Sequence, residues 1–269
     1  SLMYAQPPKE TSIVALRMDD VGASSKVFEV YSQKKVYIKG SKIFDGDWLF
    51  FKFIPPFRAW GPYRELSASN WLDIFDVLKK FDAVLTVAIT AAWVDRAGEL
   101  TAFPQRFPRA AEAIKEGLRQ GILEIANHGL THCVLDEKSF LPRLMESNRR
   151  FHREFVDWIP SELHRQNLVT AQQILEDYFQ VDVETFVPPG NQFTENTLDY
   201  AAEVGLKYVS CNTPPDTHHG ITLLGNQNTL AFHDREIVLH GMNWLRRLLE
   251  NNAGADFVFV RDLATRKIL

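Results

Sequence analysis

The sequence predicts an α/β fold in which helices connect the strands of a mainly parallel sheet or barrel. From residue 67 onward, segments with apolar residues at helical spacing alternate with short apolar runs, which is typical of βα units. Polar residues or histidines follow four of the strand-like runs. In such folds function collects at the carboxyl ends of the strands, so these four ends define a candidate site.

Seven segments have the short apolar or β-branched runs of buried strands. They cover residues 13–20, 83–90, 122–127, 183–190, 206–211, 236–240 and 256–260. Asp20, His128, Asn191 and His240 mark the four ends with polar or unusual residues.

Six segments show helical spacing, and several have capping signals at their ends. They cover residues 66–82, 108–121, 137–158, 169–179, 194–205 and 243–252. A Ser/Asn-rich start opens the first, and Gly121 stops the second just before a strand. Thr194, Glu195 and Thr197 give a capping-box pattern at the start of the fifth, which ends at Gly205.

The composition is that of an ordinary globular protein with a sizeable core. Of 269 residues, 45% are hydrophobic and 24% are charged, and a net charge of −4 gives no reason to expect nucleic acid or an anionic membrane surface as partner. No apolar stretch reaches the roughly 20 residues that span a bilayer. Cys133 and Cys211 are too few for a disulfide framework. No signal-peptide pattern opens the sequence, so we expect a cytoplasmic protein. We also expect residues 1–269 to form a single domain.

Residues 31–64 interrupt the alternation between the first strand and the first long helix. The segment is rich in aromatic and basic residues, and we expect a hairpin and loop that cover the edge of the sheet. Two interpretations stay open. The aromatic side chains pack on the body of the domain, as in an ordinary insertion, or Trp48, Trp60 or Tyr63 stacks on a sugar ring.

The stretch "EIANHGLTH" places His128 and His132 four residues apart, directly after an apolar run. This spacing allows two imidazoles to bind one metal ion. The stretch "RMDD" ends the first strand with Asp19 and Asp20, and burial opposes charging both carboxylates unless a cation is near. A metal bound by Asp20 and the two histidines, with an open position, would resolve this. Asp19 would then be free to accept a proton.

Three residues of the histidine stretch have expected supporting roles. Gly129 lets the chain turn sharply between the two ligands. Asn127 and Thr131 are candidates for hydrogen bonds that orient the imidazoles.

His240 ends the predicted strand 236–240. A histidine there can protonate a leaving group, or it can be a hydrogen-bonded structural residue. His218 and His219 lie in a loop bounded by proline and glycine, which we expect to be exposed. No role is assigned to His152, His164 and His233.

The order of these motifs resembles that of the polysaccharide deacetylases of the NodB-homology group, a carbohydrate esterase type, and of their allied C–N hydrolases. The stretches "RMDD", "HGLTH", "FVPPGN" and "VLH" follow the family's order and span residues 17–240. The resemblance implies a distorted (β/α) barrel of about seven parallel strands. It also implies a metal-dependent hydrolase that removes an N-acetyl group from a sugar.

The resemblance also implies roles for individual residues. In that family the first Asp of the acidic motif is the general base and the second is a metal ligand, which here implies Asp19 and Asp20. Both histidines of its His-x-x-x-His motif are ligands, matching His128 and His132. A late Leu-x-His motif supplies the general acid, matching His240. The implied metal is Zn²⁺, and Co²⁺, Ni²⁺ or Fe²⁺ also suits two histidines and a carboxylate.

The third motif departs from the family pattern. The family has Arg-x-Pro-Tyr-Gly where this sequence has "FVPPG", so the arginine that orients the catalytic Asp is missing. Arg17 shares the strand face of that Asp, and we expect it to take over the role. Pro189 has no N–H to hold an oxyanion, so stabilisation must come from the metal, Gly190, Asn191 or elsewhere. These changes indicate a divergent branch of the family.

The expected partner is an N-acetylated sugar or glycan, such as a nucleotide- or lipid-linked precursor of a bacterial surface polysaccharide (O-antigen). Two other functions stay open. One is an amidase acting on a small non-sugar C–N bond. The other is a non-catalytic, metal-containing carbohydrate-binding protein, which the missing arginine and the proline keep open.

Overall fold

A curled sheet of mainly parallel strands organises the chain. The computed structural model describes residues 12–61 and 63–266. The strands are β1 (Ile13–Val21), β2 (Lys35–Ile38), β3 (Ser41–Asp45), β4 (Leu85–Ile89), β5 (Ala92–Val94), β6 (Leu100–Ala102), β7 (Leu123–Asn127), β8 (Thr185–Phe186), β9 (Tyr208–Val209), β10 (Asp216–His218), β11 (Ile221–Leu223), β12 (Thr229–His233) and β13 (Asp256–Val258). The helices are α1 (Ser25–Phe28), α2 (Ala68–Lys80), α3 (Phe103–Arg106), α4 (Pro108–Arg119), α5 (Glu137–Phe140), α6 (Ser161–Phe179), α7 (Glu195–Glu203), α8 (Asp234–His240) and α9 (Met242–Glu250). Short 3₁₀ turns cover Phe51–Phe53, Arg149–His152, Pro189–Asn191 and Val260–Ala264.

Seven parallel strands lie side by side in the order β11-β9-β8-β7-β4-β1-β12. β10 extends one edge as an antiparallel strand, and β13 pairs in parallel with the first residues of β1. The sheet curls so far that Arg17 of β1 hydrogen-bonds Ser210, which follows β9, although three strands separate β1 from β9. The predicted barrel of about seven parallel strands is therefore confirmed. Among the described strands it stays open between β10 and β12.

The inner face of the central strands is narrow and partly polar. Thr86 of β4 is the register partner of Glu124 of β7, and its hydroxyl donates to the Glu124 carboxylate at 2.6 Å. Two residues further along these strands, Ala88 and Ala126 form a small apolar cluster with Val187. Small apolar side chains therefore fill the interior just below the carboxyl ends of the strands.

The large hydrophobic core lies between the outer face of the sheet and the helices. Helix α2 begins with a capping box in which Ser67 and Asn70 each accept the other's backbone N–H. The core residues of this helix and of the strands β4 and β7 are Trp71, Ile74, Phe75, Leu78, Leu85, Val87, Ile89, Leu123 and Ile125. Burying each such side chain stabilises the fold by roughly 1.5–3 kcal/mol. None of the helices in the described part of the chain has the length and apolar character needed to cross a bilayer.

The predicted helix at 137–158 is wrong. The segment contains only the short helix α5 and the 3₁₀ turn at 149–152, and the long helix α6 begins at Ser161. Pro142 has no N–H for a helical hydrogen bond. The buried side chain of Glu154 also fixes this segment as an irregular path over the histidine loop.

The predicted strand at 236–240 is also wrong, because these residues belong to α8. The β-branched pair Ile237 and Val238 favours a strand when the sequence is read locally. Asp234 and Glu236 lie in the first turn of the helix, where their negative charges stabilise its N-terminus. The strand of this region is β12, which ends immediately before the helix.

The predicted insertion contains the expected hairpin, formed by β2 and β3, and neither strand pairs with any other described strand. Its stem closes where the N–H of Ala59 donates to the Tyr31 carbonyl at 3.0 Å and where Ser32 forms a β-bridge with Arg58. The chain between the two halves of the stem, residues 33–57, is called the hairpin excursion below.

The hairpin excursion is held together and anchored by its own side chains. The rings of Phe44 and Phe51 pack edge to face with centroids 5.5 Å apart, which joins the hairpin to the turn that follows it. Lys52 is fully buried, and its ammonium donates to the carbonyls of Leu144 at 3.0 Å and Glu146 at 2.8 Å. These bonds fix the hairpin excursion to the loop before the 3₁₀ turn at 149–152.

One buried ion cluster joins three separate parts of the chain. Lys26 of α1 lies with its Nζ 2.6 Å from both Glu65 Oε2 and Asp234 Oδ2. The other oxygen of Glu65 accepts the backbone N–H of Gly22 at 3.1 Å. The cluster therefore holds the end of β1 against the start of α8.

Candidate metal and active site

Three predicted ligands meet where β1 and β7 end. Asp20 lies near the end of β1, and His128 follows β7 directly. The Oδ1 atom of Asp20 is 3.2 Å from His128 Nε2 and 3.1 Å from His132 Nε2. All three side chains are buried. The structure thus places one carboxylate and two imidazoles around a common point, as a metal site requires.

The backbone of this site adopts conformations that are rare for most residues. Asp20 has φ +70° and His132 has φ +58°, and such local strain concentrates at functional sites. Gly129 has φ +78°, and a Cβ at this position would lie 2.2 Å from Glu154 Oε2. The sharp turn between the two histidines therefore requires glycine.

The hydrogen bonding of His128 suits a cation between the three groups. Its Nδ1 lies 2.6 Å from the Val187 carbonyl oxygen, which can only accept, so Nδ1 carries the proton. Nε2 is then a bare lone pair that faces a carboxylate oxygen 3.2 Å away. Two such electron-rich atoms need a proton or a cation between them. A divalent ion bound by two imidazoles and one carboxylate fits this donor set.

Positive charges keep the Asp20 carboxylate ionised. Burial alone would raise the pKa of Asp20, but the positive charges of His233 and Arg235 hold this pKa well below its usual range. Arg235 Nη2 lies 3.2 Å and His233 Nε2 lies 4.0 Å from Asp20 Oδ2. Asp20 is therefore ionised at neutral pH, as a carboxylate that binds a metal ion has to be.

A buried carboxylate holds the histidine loop in place. Glu154 accepts hydrogen bonds from three successive backbone N–H groups at 2.9 to 3.1 Å, those of Leu130, Thr131 and His132. Burial raises the pKa of Glu154, and the three donors act against that rise. Glu154 has no predicted role, yet its carboxylate positions the backbone between His128 and His132.

The predicted roles of Asn127 and Thr131 are wrong in detail. The Asn127 side chain accepts the N–H of Gly129 at 2.9 Å, and the Thr131 hydroxyl donates to the Cys133 carbonyl at 2.7 Å. Neither bond reaches an imidazole, so both residues shape the loop instead. The Val187 carbonyl orients the His128 imidazole, and the Nδ1 of His132 has no hydrogen-bond partner among the described residues.

Arg17 holds Asp19 in a bidentate ion pair. Both contacts, Nε to Oδ1 and Nη2 to Oδ2, are 2.8 Å long, and both residues are buried. The remaining Nη1 donates to the hydroxyl and carbonyl of Ser210 at 2.7 and 3.1 Å. The structure therefore places Arg17 where the expected orienting role requires it. The arginine comes from β1 rather than from the third motif.

The structure does not bring His240 to the site. His240 ends α8 as an exposed residue, with its Nε2 3.7 Å from Glu236 on the same helix. The histidine at the end of a strand beside β1 is His233, which is the register partner of Asp19. The expected placement of His240 at a strand end is therefore wrong, and His233, to which no role was assigned, occupies that place.

Asp20 and His132 line a cavity of about 90 Å³. The charged residues in its lining are Asp20, Glu29, Arg149, Arg153 and Arg235. Three arginines therefore face two carboxylates, although the whole chain carries a net charge of −4. The excess of positive charge in the lining favours an anionic ligand.

The three arginines differ in their partners. Arg235 pairs with the metal-site carboxylate, as described above. Arg149 Nε lies 3.5 Å from Glu29 Oε1, and its guanidinium lies over the Tyr31 ring, 4.3 Å from the centroid. Burial raises the pKa of Glu29 to about 7, against the opposing effect of nearby positive charges. Among the described residues no carboxylate lies within 4.0 Å of the Arg153 guanidinium, so this cation remains for a ligand.

The predicted substrate-binding residues divide between the cavity and its surroundings. Trp60 lines the cavity, but the Arg235 guanidinium covers one ring face, 3.8 Å from the centroid. Gly190 also lines the cavity, and a Cβ there would lie 2.8 Å from Arg153 Cγ. The backbone N–H of Asn191 donates to the Pro188 carbonyl of its own turn at 3.0 Å, so this N–H is not available to an oxyanion, and its side-chain oxygen accepts the N–H of Asn212 at 3.1 Å.

Two further groups are separate from this site. Cys133 is buried, and burial raises the pKa of its thiol to about 12, which leaves it unreactive as a nucleophile. His218 and His219 both bond Asp199 Oδ1, at 3.1 and 2.7 Å, in a partly exposed cluster that shares no residue with the cavity lining.

These residues form a hydrolase-type site at the carboxyl ends of parallel strands, with paired histidines, a carboxylate ligand and an arginine-held aspartate. A family model described as polysaccharide deacetylase matches residues 61–209, which is more than half of the chain. The chain belongs to the polysaccharide deacetylase family. Membership supports a hydrolytic deacetylase activity, and the matched range includes both ligand histidines and Glu154.

The chain is also similar to several solved structures. One is a mutant, with restored enzymatic activity, of a CE4 family pseudoenzyme from Bacillus anthracis (12% identity, 94% of this chain and 68% of that chain, TM-score 0.48). Another is the CE4 domain of a multidomain xylanase from the hindgut metagenome of Trinervitermes trinervoides (15% identity, 77% of this chain and 86% of that chain, TM-score 0.45). A third is the T48 deacetylase with substrate (12% identity, 95% of this chain and 92% of that chain, TM-score 0.48). No curated protein matches the sequence.

Sequence reasoning missed three residues of this region, for different reasons. The run "TLAFH" ends in His233 and has strand character, so a local signal for it existed. Glu154 and Arg153 carry no local signal, because their roles depend on how the irregular segment crosses a loop more than twenty positions earlier.

We expect Glu154→Gln to destabilise the histidine loop. The glutamine amide would direct its N–H₂ group at backbone N–H groups that now donate to a carboxylate. The loss of a hydrogen bond to a charged acceptor lowers the free energy of unfolding by about 1.5–3 kcal/mol. Urea denaturation of both proteins measures the free energy of unfolding. The control is Glu137→Gln, at an exposed position, which should change this free energy by less than about 0.5 kcal/mol. Equal effects of the two substitutions would contradict the assigned role of Glu154.

Proposed function

We propose that the chain is a metal-dependent deacetylase that removes an N-acetyl group from a sugar carrying an anionic group. The observation that carries the proposal is the convergence of His128 and His132 on one oxygen of Asp20. Asp19, fixed by Arg17, directly precedes Asp20 on the same strand. A carboxylate ligand and a separately held carboxylate base are what metal-assisted amide hydrolysis needs.

The roles of the chain's own residues follow from their positions. Asp20, His128 and His132 would hold the divalent ion, which supplies Lewis acidity to a water molecule and to the amide carbonyl. Asp19 accepts a proton from the attacking water. Its bidentate pairing prevents rotation of the carboxylate away from the site.

Two further residues complete the reaction. The backbone N–H of Gly190, which lines the cavity, is the donor that we assign to the developing oxyanion. His233 donates a proton to the departing amine nitrogen. Water and amide thereby give acetate and a free amino sugar.

Metal content tests the ligand set. We expect about one divalent ion per chain in the unmodified protein, and loss of that ion in Asp20→Ala and in His128→Ala, because each substitution removes a ligand. His240→Ala removes an exposed histidine outside the site and is the matched control, which should keep its metal. Elemental analysis after passage over a chelating resin gives the stoichiometry. Full retention in both ligand variants would refute the site.

The general acid can be identified by comparing two histidines. We expect His233→Asn to lower kcat for acetate release from N-acetylglucosamine oligomers by about 10²- to 10⁴-fold, with little change in KM. His240→Asn should remain within twofold of the unmodified protein, because the residue is exposed and bonded only to its own helix. The reverse pattern would assign the proton transfer to His240.

The substrate class follows from the charge of the cavity. The proposed substrate is an N-acetylated sugar or sugar precursor with a phosphate or carboxylate group, and Arg153 is the residue that we assign to this group. Its guanidinium lines the cavity and lacks a carboxylate partner among the described residues. A nucleotide- or lipid-linked sugar has such a group.

We expect Arg153→Gln to raise KM for N-acetylglucosamine 1-phosphate about 10- to 100-fold, since one charge-assisted hydrogen bond contributes about 1.5–3 kcal/mol. KM for neutral N-acetylglucosamine should stay within twofold. Arg165→Gln removes an exposed arginine on α6 and is the control. Equal changes for the phosphorylated and neutral sugars would show that Arg153 does not bind an anion.

A further inference from the structure

The hairpin excursion carries an apolar surface that no described part of the chain covers. Nine of its large hydrophobic residues are 39% to 64% exposed. They are Val36, Tyr37, Ile38, Ile43, Leu49, Phe50, Phe51, Phe53 and Ile54. Single exposed hydrophobic residues are normal on protein surfaces, but nine within one short segment mark an interaction surface.

Positive charges lie between these hydrophobic residues. Four exposed lysines belong to the same segment, at positions 34, 35, 39 and 42. Its two acidic residues, Asp45 and Asp47, are buried, and of the four exposed lysines Lys35 and Lys42 form ion pairs with them. The hairpin excursion therefore has a basic surface, although the whole chain has a net charge of −4.

We propose that the hairpin excursion docks on the headgroup region of an anionic membrane. Aromatic and aliphatic side chains enter the boundary between headgroups and acyl chains, while lysines contact lipid phosphates. Lysine is depleted at protein–protein interfaces, so its density here favours a lipid surface over a protein partner. This inference does not depend on the proposed function.

The docking surface is preformed. Phe44 and Phe51 join the hairpin to the following turn, and the buried Lys52 fixes that turn to the carbonyls of Leu144 and Glu146. Docking therefore does not first have to order the segment, which lowers its entropic cost.

The position of the stem links this surface to the cavity. Tyr31 and Trp60 line the cavity, and they lie directly on either side of the stem residues Ser32 and Ala59. The hairpin excursion thus projects from one wall of the cavity. Docking therefore holds that wall of the cavity next to the headgroup layer.

Vesicle co-sedimentation of the full chain tests the proposal. We expect the protein to bind vesicles of phosphatidylcholine with about 30% phosphatidylglycerol at least tenfold more strongly than vesicles of pure phosphatidylcholine. Binding should fall as salt rises from about 0.05 to 0.5 M, because salt screens the lysine–phosphate attraction. Equal sedimentation with both vesicles, or none with either, would overturn the proposal.

Substitutions locate the surface. The double variant Ile38→Asp with Phe50→Asp should lower the partition coefficient on anionic vesicles at least about tenfold. Lys34→Gln with Lys39→Gln should lower it by about tenfold and leave binding to neutral vesicles unchanged. The matched control is Leu72→Asp, which removes an exposed leucine on α2 and should bind like the unmodified protein. Unchanged thermal unfolding would verify that each variant is folded.

A second copy of the chain is the competing occupant. Sedimentation velocity without lipid should show that the self-association state is the same in the unmodified protein and in the Ile38→Asp, Phe50→Asp variant. A dimer that the double substitution abolishes would show that the surface is an interface between copies, and the membrane proposal would fail. If the double variant does not fold, the comparison of anionic and neutral vesicles with the unmodified protein still decides.

Discussion

The hydrogen bonds from three backbone N–H groups to Glu154 are the contacts on which the site depends. A loop that carries two ligands has many accessible conformations, and ordering each of its residues costs about 1–2 kcal/mol. One buried carboxylate selects a single conformation, because no other described group offers these N–H groups an acceptor. This conformation requires glycine at position 129, because the Cβ of any larger residue would collide with the Glu154 carboxylate.

The second organising feature is the separation of charge between neighbouring aspartates. Asp19 is bound by Arg17 and Asp20 is approached by Arg235, so two adjacent carboxylates have two different cationic partners. The positive φ of Asp20 interrupts the regular alternation of the strand and directs its carboxylate to the histidines. Environments that differ in this way allow chemically identical groups to act as ligand and as base.

The features that could be predicted from the sequence are those that depend on residues a few positions apart in the chain. Local geometry predicts the four-residue spacing of His128 and His132 and the strand that carries Asp20. It also predicts the ion pair between Arg17 and Asp19, which lie two residues apart on one face of that strand. The predicted position of His240 at a strand end was wrong because the β-branched residues Ile237 and Val238 favour a strand locally, although the acidic residues of the first turn favour a helix. Glu154 and Arg153 were not predictable, because their contacts depend on the tertiary path of a segment with no regular structure.

The ion cluster around Lys26 has a consequence for local unfolding. Its partners Glu65 and Asp234 belong to the segment after the hairpin excursion and to the first turn of α8, immediately after His233. Opening either segment alone would remove one of the two carboxylates that contact the buried Lys26 ammonium, which is more costly than the loss of a surface contact. We therefore expect the two segments to open together, and His233, which directly precedes Asp234, to stay near Asp20 while the cluster is intact.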